Sequence, residues 1–576
     1  MSYVPKDKIR SQQARPDTKG TPTFNWQMSN TTLGDTVKLV IPPMHILPII
    51  FVPGIMGSNL KDAKGNKVWR LDATMGQPVG LAWMWAKKNA AQRQKLLHPS
   101  RTSVDSNGAV PKTPVGSIHD KSEFKSRGWG EVGQTSYHEF LLWLETTMND
   151  RSYNPAEWND FFYTSVSATP QPGAPRQVPK LYPGITMTMS GLPFYSEEQE
   201  MTAPVLSDDL LLRARCRFPV YACGYNWLDT NLNAANQLKE RITSVIAQNN
   251  RGYFRCEQVI LVTHSMGGLV ARACSELSGA EGKIAGIVHG VMPAVGAAVA
   301  YRRCKIGMKD EDFGASLVIG SDGKEVTAVF AQAPGALQLL PSQDYNPKWL
   351  DIKGPDGKTI ESLPAGDPYS EIYLRKDQWW GLVREEWLSP DNGEPISWGE
   401  FSKNIGKAKA FHQSLSGKYH PNTFVFYGAG DKKQASFEKI QWTMKKGLQP
   451  ESGKAPKPES VKDFSHGQVR EDGTNLIYVG GETEVYNFPS MDPFGYTAPQ
   501  VVETSFWEIV CAKQDGTGDG TVPSSSGKSP KKSGGASVRQ QFSLTGFSHE
   551  PAYKDPTAQR VTHYAITKIL SKAKLS

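Results

Sequence analysis

Cysteine is scarce in this chain. Six thiols (Cys216, Cys223, Cys256, Cys274, Cys304 and Cys511) are spread over 576 residues with no CxxC among them. A disulfide-built scaffold is therefore excluded, and reduced, buried thiols are expected, although Cys216 and Cys223 are near enough in sequence to pair. Long hydrophobic runs are lacking as well. The longest apolar stretches, Ile46–Val52 and Gln258–Val262, are strand-length, against the ~20 residues a bilayer-crossing helix needs. The opening MSYVPKDKIRSQQARPDTKG contains no apolar h-region, so no ordinary secretory signal is expected. Export, if it occurs, is expected to use a non-classical machine working on a protein made in the cytoplasm. The net charge is only +8 and is spread along the chain, with no Lys/Arg cluster beside a recognition motif. A nucleic-acid partner is not expected.

Cofactor signatures are equally thin. No HExxH or paired Cys/His spacing supports zinc. Gly527-Lys528-Ser529 lacks the upstream glycine of a P-loop. Asp515-Gly-Thr-Gly-Asp519-Gly resembles the start of a calcium loop but lacks the later bidentate glutamate, so a turn is the expected structure. The expectation is no cofactor and no metal.

The composition that remains is that of a globular protein, 38% hydrophobic and 21% charged, with a mean hydropathy of −0.45. Its length exceeds one simple core. Five short apolar runs, Ile46–Val52, Pro219–Cys223, Gln258–Val262, Ile284–Val288 and Thr423–Tyr427, read as strands buried on both faces. Asn231–Asn249 carries Leu232, Leu238, Ile242 and Val245 at helical spacing. It predicts the crossover helix of a βαβ unit over Pro219–Val262, and hence a parallel sheet. A last helix is predicted near Ala558–Leu570.

The pattern predicts an α/β-hydrolase fold, a mainly parallel sheet flanked by helices, interrupted by large inserted caps. Residues 1–61 would hold the N-terminal segment and first core strands. Residues 62–218, rich in Trp, Pro and polar side chains, read as a first cap, and 219–300 as the core with its nucleophile turn. Residues 301–420 read as a second cap, 421–431 as a core strand, 432–503 as a further insertion with an exposed stretch at Gly447–Lys462, and 504–576 as the C-terminal core. Leu81–Leu97 (LAWMWAKKNAAQRQKLL) fits either an amphipathic lid touching a membrane surface or a packed cap helix.

Chemistry enters at Gln258–Cys274, QVILVTHSMGGLVARAC. A buried strand runs into Ser265, then Gly267 and Gly268, then a helix-like run, the order of a nucleophile elbow. The position two before the serine is Thr263 where the G-x-S-x-G pattern has glycine. A serine hydroxyl needs a base and a group that orients the base, and in this fold the acid and histidine follow the serine in that order. GDGTVPSSS supplies Asp519 after the strand-like Ser505–Cys511, and LTGFSHEPAY supplies His549 after the strand-like Arg539–Leu544. His264, His289 and His563 are rival bases. His264 points the wrong way from an elbow, and His563 has the spacing of a packed helical side chain. Asp431, after the strand TFVFYGAG, is the rival acid and stays open. Upstream, PIIFVPGIMGSNL puts Gly54 and Gly57 after the first core strand, where Gly54, Ile55 and Gly57 are expected to approach substrate and a backbone N–H to pair with that of Met266.

VPGIMGSNL, ACGYNWLDTN, THSMGG, GDGTVP, and GFSH followed by THYAI resemble, in order and spacing, the lecithin:cholesterol acyltransferase-like and PGAP-like α/β-hydrolase lipases. The likeness covers about half the chain. It implies a triad of Ser265, Asp519 and His549, with Met56 and Met266 giving the oxyanion N–H groups. It also implies a lipid or membrane substrate and a serine lipase or phospholipase activity. Asn226 stands where the family has Asp, and a structural role is expected there. The large caps and the missing signal are similar to the layout of type VI secretion phospholipase effectors (Tle family). That likeness implies a toxin that degrades lipid in a target cell's periplasm and is restrained by an immunity protein. A lipid acyltransferase and a non-catalytic hydrolase-fold binding protein are the competing readings; oligomeric state, head group and chain position are not legible.

Overall fold

The computed structural model describes residues 9–17, 19, 21–24, 36–70, 72, 85, 87–111, 121–149, 194–195, 207–311, 320–390, 396–447, 454–480, 483–487, 499–503 and 505–575. Its centre is a seven-stranded sheet. The strands are β1 (Ile49–Val52), β2 (Phe194–Tyr195), β3 (Val220–Ala222), β4 (Val259–His264), β5 (Ile284–Gly290), β6 (Thr423–Gly428) and β7 (Val538–Leu544), in the spatial order β2-β7-β6-β5-β4-β1-β3. All neighbours pair in parallel except the short edge strand β2.

The five apolar runs become strands because both faces of this sheet are covered. Side chains alternate across a strand, and here each face meets helices. Ile50 and Val52 of β1 join Leu238, Ile242 and Val245 of helix α2 (Asn231–Asn249) and Leu269 and Val270 of helix α3 (Gly267–Glu276). Ile49 and Phe51 join Phe140, Leu141 and Leu144 of helix α1 (Gln134–Asn149), and Val561 and Ile569 of helix α5 (Pro556–Leu570). Helix α2 has the predicted bounds and starts at Thr230, whose side chain accepts from the Asn233 N–H. Leu232, however, faces solvent at 40% exposure, and Ala234 and Ala235 fill its expected place in the core.

A second, six-stranded sheet runs Thr359–Leu363, Leu350–Lys353, Ile440–Lys446, Trp507–Cys511, Ile477–Val479, Val469–Glu471. It draws strands from three stretches of sequence read above as separate. In particular, Trp507–Cys511 belongs here, not to the hydrolase sheet in which the C-terminal stretch was expected to lie. Its alternating burial fits a sheet with one covered face, unlike the uniformly buried β4 and β5. Helix α4 (Trp398–Leu415), opened by a Ser397–Glu400 capping box, lies between the two sheets in sequence. Buried Lys305 pairs with Glu471 at 3.1 Å, joining residues 301–420 to the later insertion.

Helix α1 falls in the stretch read as the first cap, yet it packs on the hydrolase sheet. Of Leu81–Leu97, residues 81–84 and 86 lie outside the described residues. The helix there is Ala90–Leu96, with Ala91, Arg93 and Gln94 buried and Gln94 donating to the Leu388 carbonyl, which fits packing in the cap. The Gly447–Lys462 stretch is less exposed than expected where it is described. Val461 is buried, and the indoles of Trp379 and Trp380 donate to the Val461 and Lys462 carbonyls. All six cysteines are free and buried. Among the described residues no helix is long and apolar enough to cross a membrane.

Candidate active site

Strand β4 ends at His264 and helix α3 begins at Gly267, which leaves two residues to reverse the chain. Ser265 makes the turn with φ of 53°, a left-handed conformation that strains a residue bearing a Cβ by about 1–2 kcal/mol. Surrounding bonds hold it there: the Ser265 N–H donates to the Gly290 carbonyl, and the Gly268 N–H donates to the Ser265 carbonyl. Glycine is required at 267, because a Cβ there would collide with the Val52 and Pro53 carbonyl oxygens at the end of β1. Thr263, the departure from glycine two residues before the serine, is accommodated differently. Its register partner on β5 is His289, and its hydroxyl lies 3.0 Å from the His289 Nδ1. The side chain turns into the sheet layer and away from the elbow.

The structure brings Ser265, His549 and Asp519 into one line. The Ser265 Oγ lies 2.8 Å from the His549 Nε2, and the His549 Nδ1 lies 2.8 Å from the Asp519 Oδ2. With the carboxylate opposite, the Nδ1 carries the proton and the Nε2 accepts from the serine. The second carboxylate oxygen of Asp519 accepts the N–H groups of Thr521 and Val522 at 3.0 and 2.7 Å. The backbones are tied as well, since the His549 N–H donates to the Asp519 carbonyl. Ser265 and Asp519 are buried, and His549 retains 14% exposure of its side chain.

Asp519 reaches the site from an unexpected side. Its turn docks on the end of β6, where Gly430 and Gly518 exchange backbone bonds. Asp431 follows the same strand, but it is exposed and opens a short 3-10 turn. The place a carboxylate after β6 would fill is thus occupied by one carried in from residue 519. His289 and His563 are buried, and His289, whose Nδ1 lies against the Thr263 hydroxyl, is held to about 3 by burial, below the ordinary 6.5.

The glycine loop after β1 abuts the serine. The Gly57 N–H donates to the Gly54 carbonyl, closing a turn in which Met56 has φ of 62°. Tyr225 donates to the Pro53 carbonyl, the Trp69 indole to the Met56 carbonyl, and the Gly133 N–H to the Gly57 carbonyl. The loop is thereby fixed through its carbonyls, while Ile55 and Met56 stay partly exposed. Among the described hydrogen bonds none is donated by the backbone N–H of Ile55, Met56 or Met266. Asn226 donates to the Pro99 and Thr102 carbonyls, two bonds an aspartate could not make.

Two residues behind the site take a part that the sequence reading did not assign them. Tyr137 of α1 and His264, the neighbour of the serine, hydrogen-bond to each other behind the site. Tyr137 lies within an ordinary amphipathic helix pattern, and no spacing signal singles it out.

The PGAP1-like alpha/beta domain family matches residues 225–305, the stretch from Tyr225 through the elbow and β5. Among curated proteins none matches. Among solved structures, a chain of the crystal structure of the Tle4–Tli4 complex is similar at 28% identity with a TM-score of 0.67, over 92% of this chain and 99% of that one. The chain therefore has an α/β-hydrolase fold, carries a stretch similar to the PGAP1-like alpha/beta domain, and is similar over nearly its whole length to a chain of the Tle4–Tli4 complex.

Proposed function

We propose that this protein is a serine ester hydrolase acting on membrane lipids, a phospholipase used as a secreted effector. The single observation that carries the chemistry is the hydrogen-bonded run Ser265–His549–Asp519, with both links at 2.8 Å. In the proposed first step His549 takes the Ser265 proton as the Oγ attacks an ester carbonyl, and the carbonyl π electrons move onto oxygen. N–H groups of Met56 and Met266 receive that oxyanion, and Gly54, Ile55 and Gly57 line its approach. Collapse breaks the ester C–O bond, with His549 returning the proton to the leaving alcohol. Water, activated by the same histidine, then attacks the acyl-serine and releases a fatty acid. Asp519 holds the imidazole in the required tautomer and stabilises the imidazolium.

The word lipid rests on resemblance: the PGAP1-like match and the likeness to the Tle4–Tli4 complex both support it. That complex pairs Tle4 with Tli4, and it supports a dedicated protein partner, an immunity protein, for this chain too. Delivery into a target cell rests on the same likeness.

The test is incubation with defined phospholipids, glycerides and short soluble esters, with products identified by mass. Free fatty acid and lysolipid are expected from the wild type. Losing the serine should remove turnover by about 10⁴ or more. A Ser265→Ala protein with undiminished esterase activity would sink the proposal.

A further inference from the structure

The glycine loop and the His549 loop come from opposite ends of the sequence, and a buried run of hydrogen bonds joins them. The Gly54 N–H donates to the Tyr137 hydroxyl at 3.2 Å; that hydroxyl lies 3.0 Å from the His264 Nδ1; and the His264 Nε2 lies 2.9 Å from the His549 backbone carbonyl. The proton positions follow from the partners. A carbonyl only accepts, so the His264 Nε2 must donate, which leaves the Nδ1 as an acceptor. The Tyr137 hydroxyl therefore donates to it, and its oxygen is free to take the Gly54 N–H. Every bond runs in one direction, from the loop carrying Met56 to the residue that faces Ser265.

Burial keeps the arrangement fixed. Tyr137 and His264 are both shielded from solvent, and burial holds the His264 imidazole down to about 3, so it stays neutral. The pair also accounts for the glycines of the loop. A Cβ on Gly54 would fall 2.9 Å from the His264 Nδ1, and one on Gly57 would fall 2.7 Å from the Tyr137 hydroxyl. The loop is glycine-bearing at these two points because the relay occupies the space beneath them. Phe51, with ring centroid 4.9 Å from that of Tyr137, and Tyr553, which donates to the Thr263 carbonyl, close the surroundings.

We propose that Tyr137 and His264 are positioning residues for the ester hydrolysis proposed above: a hydrogen-bonded strut that sets the distance between the oxyanion donors and His549. Neither touches the reacting atoms. The strut acts by fixing where the Met56 N–H and the His549 ring stand relative to each other, and misplacement by even 1 Å can cost about 100-fold in rate. It rests on the serine-hydrolase reading, and its test is built to fail separately.

The experiment measures kcat and KM on a soluble short-chain ester, with the affinity of a boronic acid that mimics the tetrahedral adduct. The proteins are wild type, Ser265→Ala, Tyr137→Phe, His264→Leu, His264→Gln and the Tyr137→Phe/His264→Leu double variant. Tyr137→Phe is expected to lower kcat about 10–100-fold and to weaken boronate binding by a similar factor, with KM little changed. The double variant is expected to lose no more than the worse single, as for residues acting as a unit. His264→Gln, whose amide offers one donor and one acceptor, is expected to recover part of the kcat that His264→Leu loses. Wild-type kcat in Tyr137→Phe, or additive losses in the double variant, overturns the strut. If Tyr137→Phe does not fold, equal kcat in His264→Gln and His264→Leu overturns it instead. An active Ser265→Ala overturns the hydrolase reading; an inactive one beside an unimpaired Tyr137→Phe overturns the strut alone.

Discussion

The two large sheets are built on different rules. The seven-stranded sheet is parallel apart from its short edge strand β2, and its central strands β1, β4, β5 and β6 are buried along their whole length and written in short apolar runs such as VILVTH. The six-stranded sheet is mixed and shows alternation, as in Ile440–Lys446, and its strands come from three distant parts of the chain. The first carries the proposed reacting groups at its strand ends. The second holds the inserted regions together and hands the chain back at Trp507–Cys511 shortly before the acid turn. Chemistry and scaffolding are thus separable in principle, and substitutions can test how far.

The largest separation should appear between the two candidate acids. Asp519→Asn is expected to lower kcat by about 10³–10⁴, because an amide cannot hold the His549 tautomer. Asp431→Asn, on an exposed turn, should leave kcat unaltered. Steady-state kinetics on one ester decides, and a large effect at Asp431 would transfer the role.

Next comes the second sheet. Trp442 is fully buried there, and its indole donates to the Tyr301 hydroxyl. Trp442→Ala should cost about 3–5 kcal/mol of stability through the cavity it leaves. If the sheets are separable, kcat per folded molecule on a soluble ester stays near wild type while the denaturation midpoint falls. A parallel collapse of kcat would show that the scaffold sets the site.

The pH response sharpens the contrast from the other side. His264 and His289, both on strands of the parallel sheet, are held to about 3 by burial. The unfolded chain binds their protons near 6.5 and the folded one does not, so stability is unaffected above about pH 6.5 and falls as pH drops below it. By pH 5 the loss should be about 2 kcal/mol for each histidine. Denaturant melts at pH 7 and pH 5 measure it, and a His289→Gln variant should show a shallower pH slope.

The smallest effect belongs to Thr263→Val. It removes the hydroxyl beside His289 and should cost about 1–2 kcal/mol in stability, with kcat nearly unchanged, because the side chain faces away from the elbow. Melting temperature and kcat measured together check both halves.

Much of the hydrolase layer is legible in the sequence, for a physical reason. Doubly buried strands must be apolar along their whole length, and a strained serine turn must have small neighbours where backbones approach, as at Gly267. Helix α2 is readable to the residue because Thr230 caps it and its buried face repeats. The six-stranded sheet is not readable. Half-covered strands three to seven residues long alternate weakly, and nothing local says that Leu350–Lys353 will pair with Ile440–Lys446. Trp507–Cys511 looked like a core strand for the same reason: local pattern does not name the partner. In the candidate site, order and loop position single out Ser265, Asp519 and His549, which the fold brings within hydrogen-bond distance of one another, and the acid turn docks at the end of β6, the strand that Asp431 follows. Tyr137 could not be found, since a tyrosine on a buried helix face is ordinary core until its hydroxyl is seen to bridge Gly54 and His264.

The line from Gly54 through Tyr137, His264 and His549 has a consequence in time. The first residue leaves the ribosome within the opening tenth of the chain and the last only near its end. A growing chain holds Ser265 long before it owns the proposed acid and base, Asp519 and His549. Until the final stretch is docked, the hydroxyl has nothing to accept its proton. A chain cut before residue 519 would lack the proposed acid and base together with β7 and α5, which complete the same sheet layer, so on the proposed mechanism competence arrives only late in synthesis.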